Sequence, residues 1–168
     1  MLIAAVVGLV MATSVLTPGS GLPTEPPKVE IAKTAPSQTG IQPSAYRGKL
    51  YVRAQESYRK CVAYHESRGN YWATGNNGVH LGTYQFTHQL AHGVVWMMAK
   101  ELKKTFGVAA GKRTRDELFA TVPTKWNRYY WDMAFYTVLN WEYTGSGLSH
   151  WAAQHRNCAT ERISWAGA

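Results

Sequence analysis

The chain has 168 residues, 45% of them hydrophobic, a formal net charge of +8 and two cysteines. That length favours one domain, and with no internal repeat and no Cys-x-x-Cys the composition argues against repeat architectures and against a cysteine-held metal. The first element is an apolar run, Leu2 to Leu16. It falls short of the roughly 20 residues that a membrane-spanning helix needs and fits a secretory h-region. No Lys or Arg precedes it and no clear small-x-small cleavage site follows, so an uncleaved anchor tethering the chain to a membrane through residues 2–16 is the alternative. Next comes a segment with six of the seven prolines, Pro18, Pro23, Pro26, Pro27, Pro36 and Pro43. It has too few large apolar residues to offset its ordering entropy, and its prolines make it extended and semi-stiff. The expected organisation is a signal peptide or anchor over 1–17, a linker over 18–44 and one folded domain over 45–168.

Within that domain, Leu50, Ala54, Tyr58, Cys61 and Val62 recur at helical spacing and predict an amphipathic helix from about Tyr46 to Glu66. Gly69 and Asn70 suit its exit. Tyr71 to Phe86 is rich in Gly and Asn and reads as an irregular loop or small hairpin. Thr87 can cap a second helix, with Leu90, Val94, Met97, Met98 and Leu102 inward and Gly107 as its stop. Thr114-Arg-Asp-Glu117 has the form of a capping box opening a short helix. Pro123-Thr124 opens another through Trp131, Phe135 and Leu139, stopped by Gly145. Ser149 caps a last short helix ending near Cys158. The fold class expected is mostly α, with one small irregular region.

Export would oxidise a lone cysteine pair, so Cys61 and Cys158 are expected to be bridged; two buried free thiols are the alternative. Export also makes nucleic acid a poor partner for the positive charge. An anionic surface suits it better, such as the polyanionic polymers of a bacterial wall. Lys100, Lys103, Lys104, Lys112, Arg113 and Arg115 form the densest basic cluster, although lysines at a helix C-terminus also answer the macrodipole.

Three short motifs carry chemistry: Glu66-Ser67-x-Gly69-Asn70, then Thr74-Gly75-Asn76-Asn77-Gly78, then Leu81-Gly82-Thr83-Tyr84-Gln85-Phe86-Thr87. Together they resemble the catalytic core of the lysozyme-like superfamily, in its resuscitation-promoting-factor and transglycosylase-like branch from actinobacteria and their phages. Those domains run Cys-x-Glu-Ser-x-Gly-Asn, Thr-Gly-Asn-Gly and Gly-Gly-Leu-Gln-Phe. More loosely, Trp126 to Phe135, Gly145-x-Gly147 and His150-Trp151 with a late cysteine are similar to secreted members. The resemblance implies an α+β lysozyme-like fold, with Glu66 as catalytic acid, Gln85 facing the substrate and Thr83 and Tyr84 in the turn beside it. Asn76 and Trp72 are further candidate substrate contacts. This chain has Leu-Gly-Thr-Tyr-Gln where the family has Gly-Gly-Leu-Gln. Its cysteine lies five residues before the glutamate rather than two.

The residues themselves point the same way. An acid that protonates a glycosidic oxygen near neutral pH needs apolar walls, and Tyr64, Trp72, Tyr84 and Phe86 are candidates. Most glycosidases use two carboxylates, yet no acid lies between Glu66 and Glu101. Asp132 and Glu142 read as surface or structural residues. A one-carboxylate mechanism follows, as in lytic transglycosylases, which this chain resembles. There the substrate's N-acetyl group assists and a sugar hydroxyl replaces water. The expected substrate is the MurNAc–GlcNAc β-1,4 bond of peptidoglycan, outside the cell or on the envelope, with no cofactor and a monomeric chain. A phage lysin is an alternative source. A wall-binding or virion structural module that keeps the fold without catalysis is the alternative function. His88-x-x-x-His92 has two-ligand spacing, but Gln89 replaces the glutamate of the metalloprotease form, so no metal is expected. His65 points away from Glu66 on a helix. Trp126, Tyr129, Tyr130, Trp131 and Trp141 read as core, with Trp126 or Tyr129 the candidates for lining a sugar cleft.

Overall fold

The structure is a computed structural model and describes residues 39–141, 149–152 and 156–159. The apolar run, the proline-rich segment up to residue 38, Glu142 and Gly145-x-Gly147 lie outside them. The domain is mostly helical with one small antiparallel sheet. A 3-10 turn, Arg53–Gln55, leads into α1 (Glu56–Ser67). The sheet follows as β1 (Thr74–Gly75), β2 (His80–Leu81) and β3 (Phe86–Thr87), in that spatial order, with a 3-10 turn, Asn76–Gly78, between β1 and β2. Then come α2 (His88–Phe106), α3 (Val108–Ala120), a 3-10 turn Pro123–Lys125, α4 (Arg128–Asn140), α5 (Ser149–Ala152) and a 3-10 turn Arg156–Ala159. No helix among the described residues is long and apolar enough to cross a membrane.

The core forms around α4. Tyr130 through Leu139 are all buried, as expected of a helix surrounded by other elements. α2 packs against both α3 and α4. Its ends are set by local chemistry: the Thr87 hydroxyl accepts from the Leu90 N–H at 3.2 Å, and Gly107 follows Phe106. Trp126 is core and no part of a sugar cleft; its indole N–H donates to the Thr121 carbonyl at 3.1 Å, inside the buried cluster. Tyr130 and Trp131 are buried as well, and Tyr129 packs edge-on against Tyr46 at 5.6 Å.

Three helix starts differ from expectation. Pro123-Thr124 opens only a 3-10 turn; α4 begins at Arg128, capped by the Asn127 side chain, which accepts the Tyr129 N–H at 3.0 Å, and it ends at Asn140. The chain from Tyr46 to Val52 is not helical. The Tyr46 ring folds back beneath Gly48, and its hydroxyl accepts the Leu50 N–H at 3.1 Å, so a side chain takes the bond that a helix would supply. Thr114 is not a cap. It is buried in the middle of α3, which starts directly after Gly107. Asp116 is engaged by Lys112 and Arg115, both at 2.7 Å.

A buried polar network fixes α1 to α4. Asp132, fully buried, accepts on Oδ1 from the Tyr71 and Tyr84 hydroxyls, both at 2.6 Å, and from Arg59 at 3.2 Å. Its Oδ2 accepts from the Ala45 N–H at 2.7 Å. Glu56 takes Arg59 on both oxygens, at 2.9 and 3.1 Å, with the Tyr136 hydroxyl at 2.6 Å and the Ser44 N–H at 2.8 Å. Arg59 also donates to the Gln42 carbonyl. Residues 42–45 are therefore strapped into the fold. A buried charge tolerates its desolvation only when paired this fully. Asp132 is a structural acid.

Cys61 and Cys158 form a disulfide. It spans 97 residues of sequence and joins α1 to the closing 3-10 turn.

Candidate active site

Glu66 lies in the last turn of α1. Arg68 ends that helix in the left-handed region, at φ 57°, and Gly69 continues at φ 76°. Their N–H groups close on the Tyr64 and Ala63 carbonyls, both at 2.9 Å. The helix thus ends one residue past Glu66, which is half-buried and lines a cleft of about 620 Å³.

The β2–β3 turn contributes to the same cleft, and each residue of Gly82-Thr-Tyr-Gln-Phe86 has a distinct reason to be there. Gly82 sits at φ 69° under Trp131; a Cβ would come within 2.3 Å of the indole, so only glycine fits. Thr83 is fully buried, and the Ser67 hydroxyl donates to its carbonyl at 3.0 Å and lies 3.1 Å from its hydroxyl. That clamp sets the turn against the residue after Glu66. Tyr84 is fully buried beneath the cleft, with its hydroxyl in the Asp132 network. Burial pushes that hydroxyl well above its ordinary value; Arg59 opposes the shift and Asp132 adds to it. Gln85 is held at φ 50°, an uncommon conformation for a side-chain-bearing residue, and its amide donates to the Gly82 carbonyl at 2.8 Å. Its amide oxygen occupies the space where Gly75 would carry a Cβ. Phe86 is buried beneath.

The structure therefore brings Glu66, Gln85 and Tyr84 to one cleft. Thr83 is behind the lip as a positioning residue. Trp72 and Asn76 are exposed and do not line this cleft. Of the expected apolar wall, Tyr84 and Phe86 are present, whereas Tyr64 stacks with Arg68 and His65 instead. His88 lies 2.9 Å from the Gly78 carbonyl and His92 stacks on Phe119.

Sequence reasoning missed three contributors. His80 on β2 faces the cleft with Glu66. The N-terminal half of α2 forms a wall through Gln89, Leu90, Gly93 and Met97. α5 closes the floor: Trp151 is buried, donates to the Tyr84 carbonyl at 3.2 Å and packs on Phe135 at 4.7 Å, while His150 stands at the cleft. The adjacent His150-Trp151 pair was the available signal. Among the described residues lining this cleft, Glu66 is the one acid.

Compared with protein families, with curated proteins and with solved structures, the chain matches none. The resemblance noted above thus rests on the chain's own motifs.

Proposed function

We propose that the protein is a peptidoglycan-cleaving glycosidase of lysozyme-like type, a lytic transglycosylase with Glu66 as general acid and base. The observation that carries this reading is that Glu66 and Gln85 line one cleft in which Glu66 is the one acid among the described lining residues. A sugar strand would place its glycosidic oxygen at Glu66. Gln85, whose amide is already held by the Gly82 carbonyl, would supply amide contacts from the same lining. A bound strand would exclude water from the cleft, which strengthens the acid's interaction with the leaving oxygen; Tyr84, Phe86 and Trp151, all buried, support the cleft from beneath. Glu66 then protonates that oxygen, the substrate's N-acetyl group supports the developing positive charge, and the carboxylate accepts the proton of the attacking sugar hydroxyl. With no second acid on the described lining, an internal 1,6-anhydro product suits the site better than water attack from a second carboxylate.

The test is mass analysis of products from purified sacculi. Anhydro-ended muropeptides are expected, and Glu66→Gln should lower the rate at least ~100-fold, since it removes general acid catalysis. Unchanged turnover in that variant would move the activity elsewhere. Products with reducing ends would make the enzyme a hydrolase. Sacculus binding without cleavage would favour the wall-binding module.

A further inference from the structure

We infer that the glycan strand does not end at the cleft but crosses α2 at Gly93 and lies on a second contact face built by Trp96 and Phe119. The inference extends the reading of the cleft as a glycan site and rests on it. Trp96 is 50% exposed and Phe119 40% exposed, large values for such residues. Single exposed apolar side chains are ordinary, but an adjoining group marks a surface with a partner. These two belong together: their rings lie 5.6 Å apart across α2 and α3. His92 stacks on Phe119 at 4.8 Å and 28°, and the Arg115 guanidinium covers Trp96 at 5.0 Å. Each ring is already held by a neighbour, so binding would cost little further side-chain ordering.

The platform adjoins the cleft. Gln89, Leu90, Gly93 and Met97 line the cleft from α2. Trp96 lies roughly 60° round the same helix from Gly93, given 3.6 residues per turn. Only the ridge of α2 separates the two surfaces, and that ridge carries a glycine. Gly93 is inside the helix, where glycine is less favourable than alanine. Its backbone is not left-handed, and a Cβ there would meet nothing within 4 Å. Neither packing nor backbone conformation asks for glycine. What glycine does is lower the ridge, so that a chain leaving the cleft passes close to the helix backbone. A polysaccharide is the occupant that fits both halves. The apolar faces of its rings pack on flat aromatic surfaces, and Arg115 and His92 offer donors to its hydroxyl and carboxylate groups at the rim.

Binding decides this independently of cleavage. The full chain carrying Glu66→Gln is titrated with a long soluble glycan strand released from sacculi and with a tetrasaccharide that fills only the cleft. Trp96→Ala with Phe119→Ala should weaken long-strand binding about 10-fold, the loss expected for a stacked aromatic contact, and leave tetrasaccharide binding within twofold. Gly93→Ala should raise the melting temperature yet weaken long-strand binding. Equal long-strand binding in the parent and the aromatic variant overturns the inference, as does equal loss on both ligands, or a Gly93→Ala variant that melts lower. Sedimentation showing a dimer that disappears with Trp96→Ala would assign the platform to a second copy of the chain instead. If Glu66→Gln cleaves sacculi like the parent, the catalytic reading fails, and the long-strand comparison made in the parent still decides the platform.

Discussion

α1 begins with a glutamate and has another one residue from its end, and the two sit in contrasting surroundings. Glu56 opens the helix, where the macrodipole favours negative charge, and both its oxygens are held by Arg59, Tyr136 and Ser44. Glu66 lies in the last turn, where the dipole disfavours a negative charge, and it faces a cleft. One end of the helix carries an acid bonded into the fold; the other carries an acid that lines the cleft. Asp132 is fully buried, whereas Glu66 is half-buried and lines the cleft. An acid's access to a ligand follows from its burial and from whether it lines a cleft, not from its position on a helix.

The largest expected effect tests the structural half of that contrast. Asp132→Ala leaves the Arg59 guanidinium and two tyrosine hydroxyls buried without their common acceptor. Breaking a buried pair from one side costs about 3–5 kcal/mol. Urea unfolding should show that loss, with activity at low temperature falling only as far as the folded fraction does. A stable but inactive Asp132→Asn would instead put Asp132 in the chemistry.

Next is the disulfide, which joins the two halves of the comparison by pinning the last described turn to α1 five residues before Glu66. Cys61→Ser with Cys158→Ser should cost roughly 2–5 kcal/mol. It should also reduce activity more at 37 °C than at 15 °C, because α5, with Trp151 in the cleft floor, precedes the bridge in the chain. Two alkylatable thiols in the native protein would refute the bridge.

A smaller effect sharpens the clamp between helix and turn. Ser67→Ala removes a hydroxyl bond from Glu66's neighbour to the Thr83 carbonyl, worth about 1 kcal/mol of stability. Its effect on turnover should exceed its effect on melting temperature, since Thr83 positions the turn that carries Gln85. Equal, modest changes in both would make the clamp merely structural.

What the sequence made legible follows the range of the interactions involved. α2 was readable at both ends because Thr87 and Gly107 act on their own neighbours. The Glu66 and Gly82–Phe86 motifs were readable because a helix stop and a tight turn are local. The start of α1 was not, because a tyrosine hydroxyl four residues away competes for the backbone bond that periodicity assumes. Thr114 was misread because a capping-box spacing also occurs inside a helix, and only tertiary burial distinguishes the two. The Arg59–Asp132 pair spans 73 residues, and nothing local announces it. His80, Gly93 and His150 reach the cleft through topology alone.

The finest test returns to Glu56. Burial would raise its carboxyl, but the Arg59 hydrogen bond and charge, with Tyr136 and Ser44, outweigh burial and hold it below the ordinary value of 4.5. A carboxylate held lower in the folded chain than in the unfolded one stabilises the fold at all pH values above its unfolded value. That contribution fades as pH falls through the folded value. The melting temperature should therefore be flat at neutral pH and decline from about pH 4.5 downward, as expected for an ordinary carboxylate reference. Glu56→Gln should melt lower than the parent at pH 7, and the gap between them should close as the pH is lowered. Asp116 is also held low, by its bonds to Lys112 and Arg115, but it is solvent-exposed and such pairs contribute little. Removing it should leave the slope almost unchanged. Glu66→Gln, by contrast, should lower the melting temperature at pH 7 less than Glu56→Gln does, because the helix dipole does not favour a negative charge in the last turn. If Glu56→Gln melted like the parent at pH 7 while Glu66→Gln melted lower, the assignment of one end of α1 to structure and the other to the cleft would be reversed.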